Sequence, residues 1–377
     1  MKKILFRKLL LDYLTFAFLA LILTSLVIWV FQAVNYLDIM IEDGRDYLVY
    51  LKFSSLNFPK IVSKILPFVL FFSIFYVTTK YELNNELIIF WNFGIHKIQI
   101  VNFIFIVSIF LMLLQIFLAS LIVPSSQDLA RSFLRSSKVN FYENFIKPQK
   151  FNDTIRGVTI YSEGKNEDGK LYNLYIKREL KNNEYQITYA KSGEFKKISN
   201  TTVLVLYNGA TISGKDKDHS NISFSKSDFV LSNLETNTTT YKKTQEISSK
   251  NLLKCMVNFY KSNKFTQEVD NCSSKNFHNI LKEFYKRFII PIYIILLSLI
   301  PLIIIIFSKE NPSYQKIRLF TFLIGFSIII FSETTIKFIS NSTIKNIGLS
   351  VVPLALIFSI YVFFYFKFKA NFKNSNI

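Results

Sequence analysis

Gly209, Gly214 and Lys215 match the opening of a phosphate-cradling P-loop, in which backbone N–H groups and a lysine hold nucleotide phosphates. Asp216 stands where that motif needs the Ser or Thr that ligates Mg²⁺, and a carboxylate there repels phosphate. The flanking residues pattern as β-strands with no helix start to supply donors, so the stretch reads as a solvated hairpin. His96, His219 and His278 are isolated, and neither an HExxH nor a Gly-x-Ser-x-Gly element occurs. No catalytic residue, metal ligand or bound cofactor is therefore expected, and any ATP and Mg²⁺ would be used by another chain. Cys255 and Cys272 could close a disulfide worth about 3 kcal/mol if both lie in an oxidising compartment; two unrelated thiols is the other reading.

The residues that remain interesting are set among long apolar runs. These cover about Leu10–Tyr36, Pro59–Thr79, Ile98–Val123, Phe288–Phe307, Ile317–Ile336 and Ile347–Phe366. Each reaches or approaches the ~20 residues that a helix needs to cross a ~30 Å hydrocarbon core. The chain is thus expected to be an α-helical polytopic membrane protein with six transmembrane helices. Its domains would be 1–124 (three helices), 125–285 (a polar insert) and 286–377 (three helices).

Lys2, Lys3, Arg7 and Lys8, then Lys80 with Lys97, then Lys309, Lys316 and Arg318, then Lys367, Lys369 and Lys373 fall in alternate flanks. The positive-inside rule then puts both termini in the cytoplasm and the insert outside it. The first apolar run is too long for a cleaved signal peptide and should remain as an anchor. Of the formal charge of +19, the insert from Ser125 to Glu283 holds +8 (25 basic against 17 acidic residues), scattered singly. That dispersion argues against nucleic acid and for anionic membrane lipid as the partner of the basic flanks.

The insert reads as β structure: Gly157–Tyr161, Leu171–Arg178, Glu184–Ala190, Thr201–Leu206 ahead of an Asn208-Gly209 turn, Asn221–Phe224 and Phe229–Leu231. Short strands at near-regular spacing predict a sandwich or jelly roll, with Val158, Ile160, Leu174, Ile176, Val203 and Val205 facing inward. Ser126–Ser137 and Ser273–Arg287 read as helical flanks extending spans three and four. Between spans two and three, Tyr81–Gly94 (YELNNELIIFWNFG) is too short and charged to cross a bilayer. It reads as a helix beside the membrane, stopped by Gly94, either anchoring in the interface or docking an aromatic face into a partner's groove.

Several features together resemble the LptF/LptG permease family of lipopolysaccharide export. Leu66-Pro67 with Leu70-Phe71, then Asn85-Glu86-Leu87 and Gly94, are similar to the family's second span and coupling helix, with Asn85 in place of Ser and Ile95-His96 in place of Leu-Ser. Glu283, Arg287 and Pro291 match the entry to span four, and Asn311-Pro312 the next loop. The resemblance implies a jelly roll facing the periplasm between helices three and four of a bacterial inner-membrane protein. It also implies partnership with an LptG-like permease, an LptB-like ATPase pair and an LptC-like jelly-roll protein. Glu86, Leu87, Phe90, Trp91 and Gly94 would couple to the ATPase. Phe16, Trp29, Phe322, Phe326, Glu333 and Lys337, on spans one and five, would line the lateral gate, with Lys337 either meeting a lipid phosphate or pairing with Glu333. The coupling segment and Glu333–Lys337 resemble LptF more than its paralogue. A lipoprotein-releasing or other exporter permease, and a receptor or assembly scaffold, are the alternatives.

Overall fold

The computed structural model describes residues 2–37, 47–136, 146–155, 158–166, 169–179, 184–198, 201–215, 218–230, 242–262 and 271–374. It divides into two compact units: a helical bundle of Met1–Phe31, Leu56–Leu129 and Lys242–Ile377, and a sheet unit of Gln32–Ser55 and Ala130–Tyr241. The connection after the first span thus groups with the sheet, where Lys52 sits over the Phe133 ring at 5.1 Å.

Among the described residues six helical stretches are long and apolar enough to cross a membrane: Lys2–Asn35, Tyr47–Leu83, Lys97–Leu134, Ser274–Ile306, Tyr314–Phe338 and Thr343–Phe368. Each is longer than the apolar run that marked it, because a helix satisfies its own backbone and stops only where turn chemistry intervenes. In chain order, α1 (Lys2–Asn35), α2 (Tyr47–Leu56), α3 (Phe58–Leu83), α4 (Glu86–Asn92) and α5 (Lys97–Phe117) lead through a π-helical turn at Leu118–Ile122 into α6 (Val123–Ser136). Beyond the sheet follow α7 (Ser249–Ser262), α8 (Ser274–Phe288), α9 (Tyr293–Leu299), α10 (Tyr314–Thr335) and α11 (Thr343–Asn374). The fourth span is segmented: 3-10 turns at Ile290–Ile292 and Ile300–Ile306 flank α9. Each turn holds a proline, Pro291 or Pro301, that removes a helix donor.

That segmented span is the centre of the bundle. Of its most apolar stretch 78% is buried, against 11% for the first span and 17% for the third and sixth. Ile294, Leu296, Leu299 and Leu302 meet Leu70 and Ile74 of α3, Ile100 and Ile104 of α5, and Phe364 of α11 in one core. Gly325 lets α10 close onto α3: a Cβ there would lie 2.1 Å from the fully buried Phe71 ring.

The sheet unit is one antiparallel meander of β1 (Asn152–Ile155), β2 (Val158–Lys165), β3 (Leu171–Glu179), β4 (Glu184–Ile198), β5 (Thr201–Lys215) and β6 (Asp218–Val230). Neighbours in the sheet are neighbours in sequence, so the Greek-key crossing expected of a sandwich or jelly roll is not found among the described residues. Strand β1 was not foreseen, and the two short runs expected at 221–224 and 229–231 belong to the single strand β6 as far as Val230, Leu231 lying outside the described residues. Asn208-Gly209 does not turn the chain. Asn208 takes a left-handed φ of 51° within β5, and pairing continues in the same register from Tyr207↔Lys226 to Gly209↔Phe224. Gly209 is there for close approach, since a Cβ would sit 2.1 Å from the Tyr189 carbonyl oxygen. The P-loop-like residues Gly209, Gly214 and Lys215 therefore lie in a paired strand; Asp216 lies outside the described residues.

Val158, Ile160, Leu174 and Ile176 pack in the sheet core with Leu171 and Ala190. On β5 the core residues are Leu204 and Leu206, and the expected Val203 and Val205 are buried on the opposite face. Four consecutive apolar residues carry no alternation, so the sequence could not set the phase of this strand. Cys255 and Cys272 are bridged, tying α7 to the chain entering α8.

Gly325→Val should drive a branched side chain into the Phe71 ring, costing about 1–3 kcal/mol as overpacking does. A lowered melting temperature in detergent, partly restored by adding Phe71→Leu, is the expected result. Equal melting of Gly325→Val and wild type would show that α3 and α10 do not bear on each other there.

Candidate functional site

One end of the bundle gathers the chain starts and turns around α4. Helix α3 runs through to Leu83, and Asn85, with φ 60°, breaks it so that α4 begins at Glu86. Gly94, with φ 64°, ends the segment, where a Cβ would be strained. Lys2 Nζ donates to the Gly94 carbonyl at 3.0 Å, Lys8 pairs with Glu86 at 3.5 Å, and Tyr81 donates to Asp12 at 2.6 Å. The Lys8–Glu86 pair is exposed and worth less than about 1 kcal/mol, so the buried Tyr81 contributes more to holding α1 here. Lys309 N–H donates to Glu82 at 2.9 Å, and Lys97 donates to the Ile305 carbonyl at 2.8 Å while lying over Trp91 at 5.6 Å. Every loop at this end is thereby tied to the α3–α4 corner.

The face that α4 presents differs from the expected one. Leu87 and Phe90 point inward into the bundle core, and Trp91 packs half-buried against it. Phe90 meets Phe6 edge-on at 6.3 Å and Tyr81 at 6.2 Å. The outward apolar residues are Ile88, Ile89 and Phe93, with Glu86 beside them. Seven residues make two turns, and an all-apolar run gives no period from which to choose the outer face.

Along the bundle, aromatic side chains from α1 and α10 flank α3. Phe16 stacks on Tyr76 at 4.3 Å and approaches Phe72 at 6.3 Å. Phe322 lies 5.3 Å from Phe75, 6.0 Å from Phe71 and 6.4 Å from Phe326. Trp29 meets Phe58 edge-on at 6.5 Å, further along α1. Glu333 and Lys337 are exposed and form no ion pair with each other, since α10 passes into a 3-10 turn at Ile336–Phe338 that breaks their helical spacing.

At the opposite end a single buried cation organises four segments. Arg287, 2% exposed, donates from Nε to Glu283 at 3.1 Å, from Nη1 to the Ile247 carbonyl at 2.8 Å and Ser249 Oγ at 3.0 Å, and from Nη2 to the Gln245 carbonyl at 2.9 Å. Ser249 donates onward to the Ser120 carbonyl at 2.6 Å, inside the π-helical turn, and Lys60 donates to Gln245 Oε1 at 3.2 Å. A π-turn leaves carbonyls off the regular ladder, and the Ser249 hydroxyl satisfies one of them. In sequence Arg287 stood out only through its resemblance, with Glu283 and Pro291, to the family's entry to span four; nothing local announced its acceptors some forty residues upstream.

The family model for the lipopolysaccharide export system permease LptF/LptG matches residues 7–367. The chain belongs to the LptF/LptG permease family. It is also similar to the uncharacterized protein RP871 of Rickettsia prowazekii (strain Madrid E), 21% identical over 323 residues, covering 85% of this chain and 86% of that protein. Among the described residues no cluster of His, Cys, Asp or Glu could hold a metal ion.

Arg287→Met should strip donors from two buried carbonyls and leave Glu283 only the longer contact to Lys286 at 3.9 Å, costing about 3–5 kcal/mol as loss of one partner of a buried pair does. Arg287→Lys should recover only part, since an ammonium cannot span the four acceptors. Detergent melting curves should rank wild type above Arg287→Lys above Arg287→Met, and identical curves for all three would remove this residue from the account.

Proposed function

We propose that this chain is a permease subunit that moves lipopolysaccharide out of the inner membrane, driven by ATP hydrolysis in an LptB-like ATPase pair and working beside an LptG-like permease and an LptC-like protein. The family membership carries the reading, and the geometry of α4 supports it. A short helix tied into the bundle through Leu87, Phe90 and Tyr81 displays Ile88, Ile89 and Phe93 with Glu86 at the basic end of the molecule. Such an end faces the cytoplasm by the positive-inside rule, where an ATPase would be met. The docking contact we assign is therefore Glu86 with the Ile88–Ile89–Phe93 face. Leu87, Phe90 and Trp91 transmit force from that face to the core, and Gly94 lets the chain leave it.

The ties from Lys2, Lys8 and Asp12 place α1 on the same corner, so displacement of α4 would be passed to the first span. That span carries Phe16 and Trp29, and α10 carries Phe322 and Phe326, which suits a lateral opening between apolar walls for acyl chains. Lys337, exposed and unpaired with Glu333, is suited to a lipid phosphate at the outer surface. We further propose an LptF-type rather than LptG-type subunit, whose sheet takes the place of the family's jelly roll. An edge strand of that sheet would pair with the LptC-like protein by β-augmentation.

Tagged full-length chain purified in mild detergent should bring with it a second six-span permease, an ATPase and lipopolysaccharide, read by mass spectrometry. Replacing Ile88, Ile89 and Phe93 together by Ser should abolish ATPase recovery while keeping the second permease. Retention of the ATPase by that variant would sink the α4 assignment, and recovery of wild type without any ATPase would favour a receptor or scaffold. In the reconstituted complex Lys337→Ala should lower lipopolysaccharide-stimulated ATPase severalfold; an unchanged rate would argue that Lys337 does not meet lipid.

A further inference from the structure

The fourth span does not end as a regular helix. Its last turn, Ile300–Ile306, is 3-10, contains Pro301 and passes into an extended Phe307, so carbonyls there need donors from elsewhere in the chain. Three contacts from the corner that bears α4 fix this end and the loop leading to α10. Lys97 Nζ donates to the Ile305 carbonyl at 2.8 Å, the Lys309 N–H donates to the Glu82 carboxylate at 2.9 Å, and Lys309 Nζ donates to the Leu83 carbonyl at 3.2 Å. Lys97 also lies over Trp91 of α4 at 5.6 Å, so one ammonium touches both that helix and the end of the fourth span. The charge of Glu82 bears on Lys97 and on Tyr314, the buried first residue of α10.

The two spans joined by this loop differ in how far they can follow a pull on it. Of the most apolar stretch of the fourth span 78% is buried, against 22% for the fifth. Moving an enclosed span disturbs close packing on every side, whereas a span with most of its surface outward tilts at the loss of few contacts. Displacement of the loop is therefore taken up by α10.

We propose that Glu82 and Lys97 are positioning residues that make the fifth span follow α4, a step that rests on the export function proposed above. Glu82 grips the loop at the Lys309 amide, and Lys97 links Trp91 to the carbonyl from which the loop departs. The first span is held to the same corner through Lys2, Lys8 and Asp12, so the helices that carry Phe16 and Phe322 would answer a single displacement of α4. Glu82 conveys the share that belongs to the fifth span.

The test uses full-length chain in the complex recovered through its tag. It reads the ATPase rate, the lipopolysaccharide released per ATP, and hydrogen exchange at residues 314–319 with and without a non-hydrolysed ATP analogue. In wild type the analogue should change exchange at the start of α10. Glu82→Ala should keep the ATPase bound at its basal rate, lose that change, and release about tenfold less lipopolysaccharide per ATP, within the range that couplings between sites span. Glu82→Gln keeps an oxygen for the Lys309 amide and should recover most of the release, whereas Lys97→Met should lose it. Glu310→Gln, exposed in the same loop, should behave as wild type. Lys309 is the second residue of the turn closed by the Asn311 N–H on the Ser308 carbonyl, a position that favours proline, so Lys309→Pro deletes the donor without altering Glu82. It should reproduce the Glu82→Ala defect, and the two together should be no worse than either, as substitutions on one contact are. Melting curves control for folding; if Glu82→Ala does not fold, Lys309→Pro and Lys97→Met carry the test.

Wild-type release per ATP by the folded variants overturns the proposal. So does loss of the ATPase from Glu82→Ala, which would make Glu82 part of the docking contact. A persisting exchange change while release falls overturns it too, since Glu82 would then act elsewhere. A wild-type complex without an ATPase fails the export reading and takes this proposal with it, whereas variants that export as well as an exporting wild type fail this proposal alone.

Discussion

The bundle depends on one guanidinium. Hydrocarbon offers no partner for a stray carbonyl, so wherever the chain departs from regular helix inside or beside the bilayer, a donor must be brought to it. Arg287 brings donors to the 3-10 turn and its exit at Gln245 and Ile247, to Ser249 and to its own helix at Glu283. Through Ser249 that network reaches the π-turn of the third span, and through Gln245 it reaches Lys60 at the start of the second. Spans two, three and four are thereby joined at one end by polar contacts that apolar packing cannot supply in lipid, where helix association gains little from hiding one hydrocarbon surface against another.

This explains the arrangement around the fourth span. Its prolines leave backbone groups that a lipid-facing helix could not tolerate, and it is the span that the others enclose. The first, third and sixth spans have most of their apolar surface outward, which suits helices that face lipid. Helix α1 has polar ties near its first residues, at Lys2, Lys8 and Asp12, and again near its end, where the Tyr50 hydroxyl donates to the Ala33 carbonyl at 3.0 Å; between them side-chain packing such as Phe16 on Tyr76 holds it.

The sequence made the spans legible because length and hydropathy alone decide whether a helix can cross a bilayer, and the corner at Tyr81–Gly94 because Asn85 and Gly94 punctuate it. What it could not give was phase. In Leu87–Trp91 and in Val203–Leu206 every residue is apolar, so neither the 3.6 nor the 2.0 period shows; the outer face of α4 proved to be Ile88, Ile89 and Phe93, and the core face of β5 proved to be Leu204 and Leu206. The Asn208-Gly209 pair misled for a different reason: its usual turn chemistry is spent here on a left-handed residue and a tight strand approach within continuous pairing. The partnership of Arg287 with Gln245, Ile247 and Ser249, and of Lys60 with Gln245, escaped notice because it is long-range.

The Cys255–Cys272 bridge adds information of a kind that packing does not. Cytosolic thiols are held reduced, so under the proposed orientation only a molecule whose α7–α8 hairpin has been carried across the membrane can close it. Each copy therefore bears a covalent record of its own insertion. A chain threaded the wrong way round keeps two thiols, and the ratio of bridged to unbridged protein in a cell becomes a tally of topogenic accuracy, legible without purifying or assaying anything.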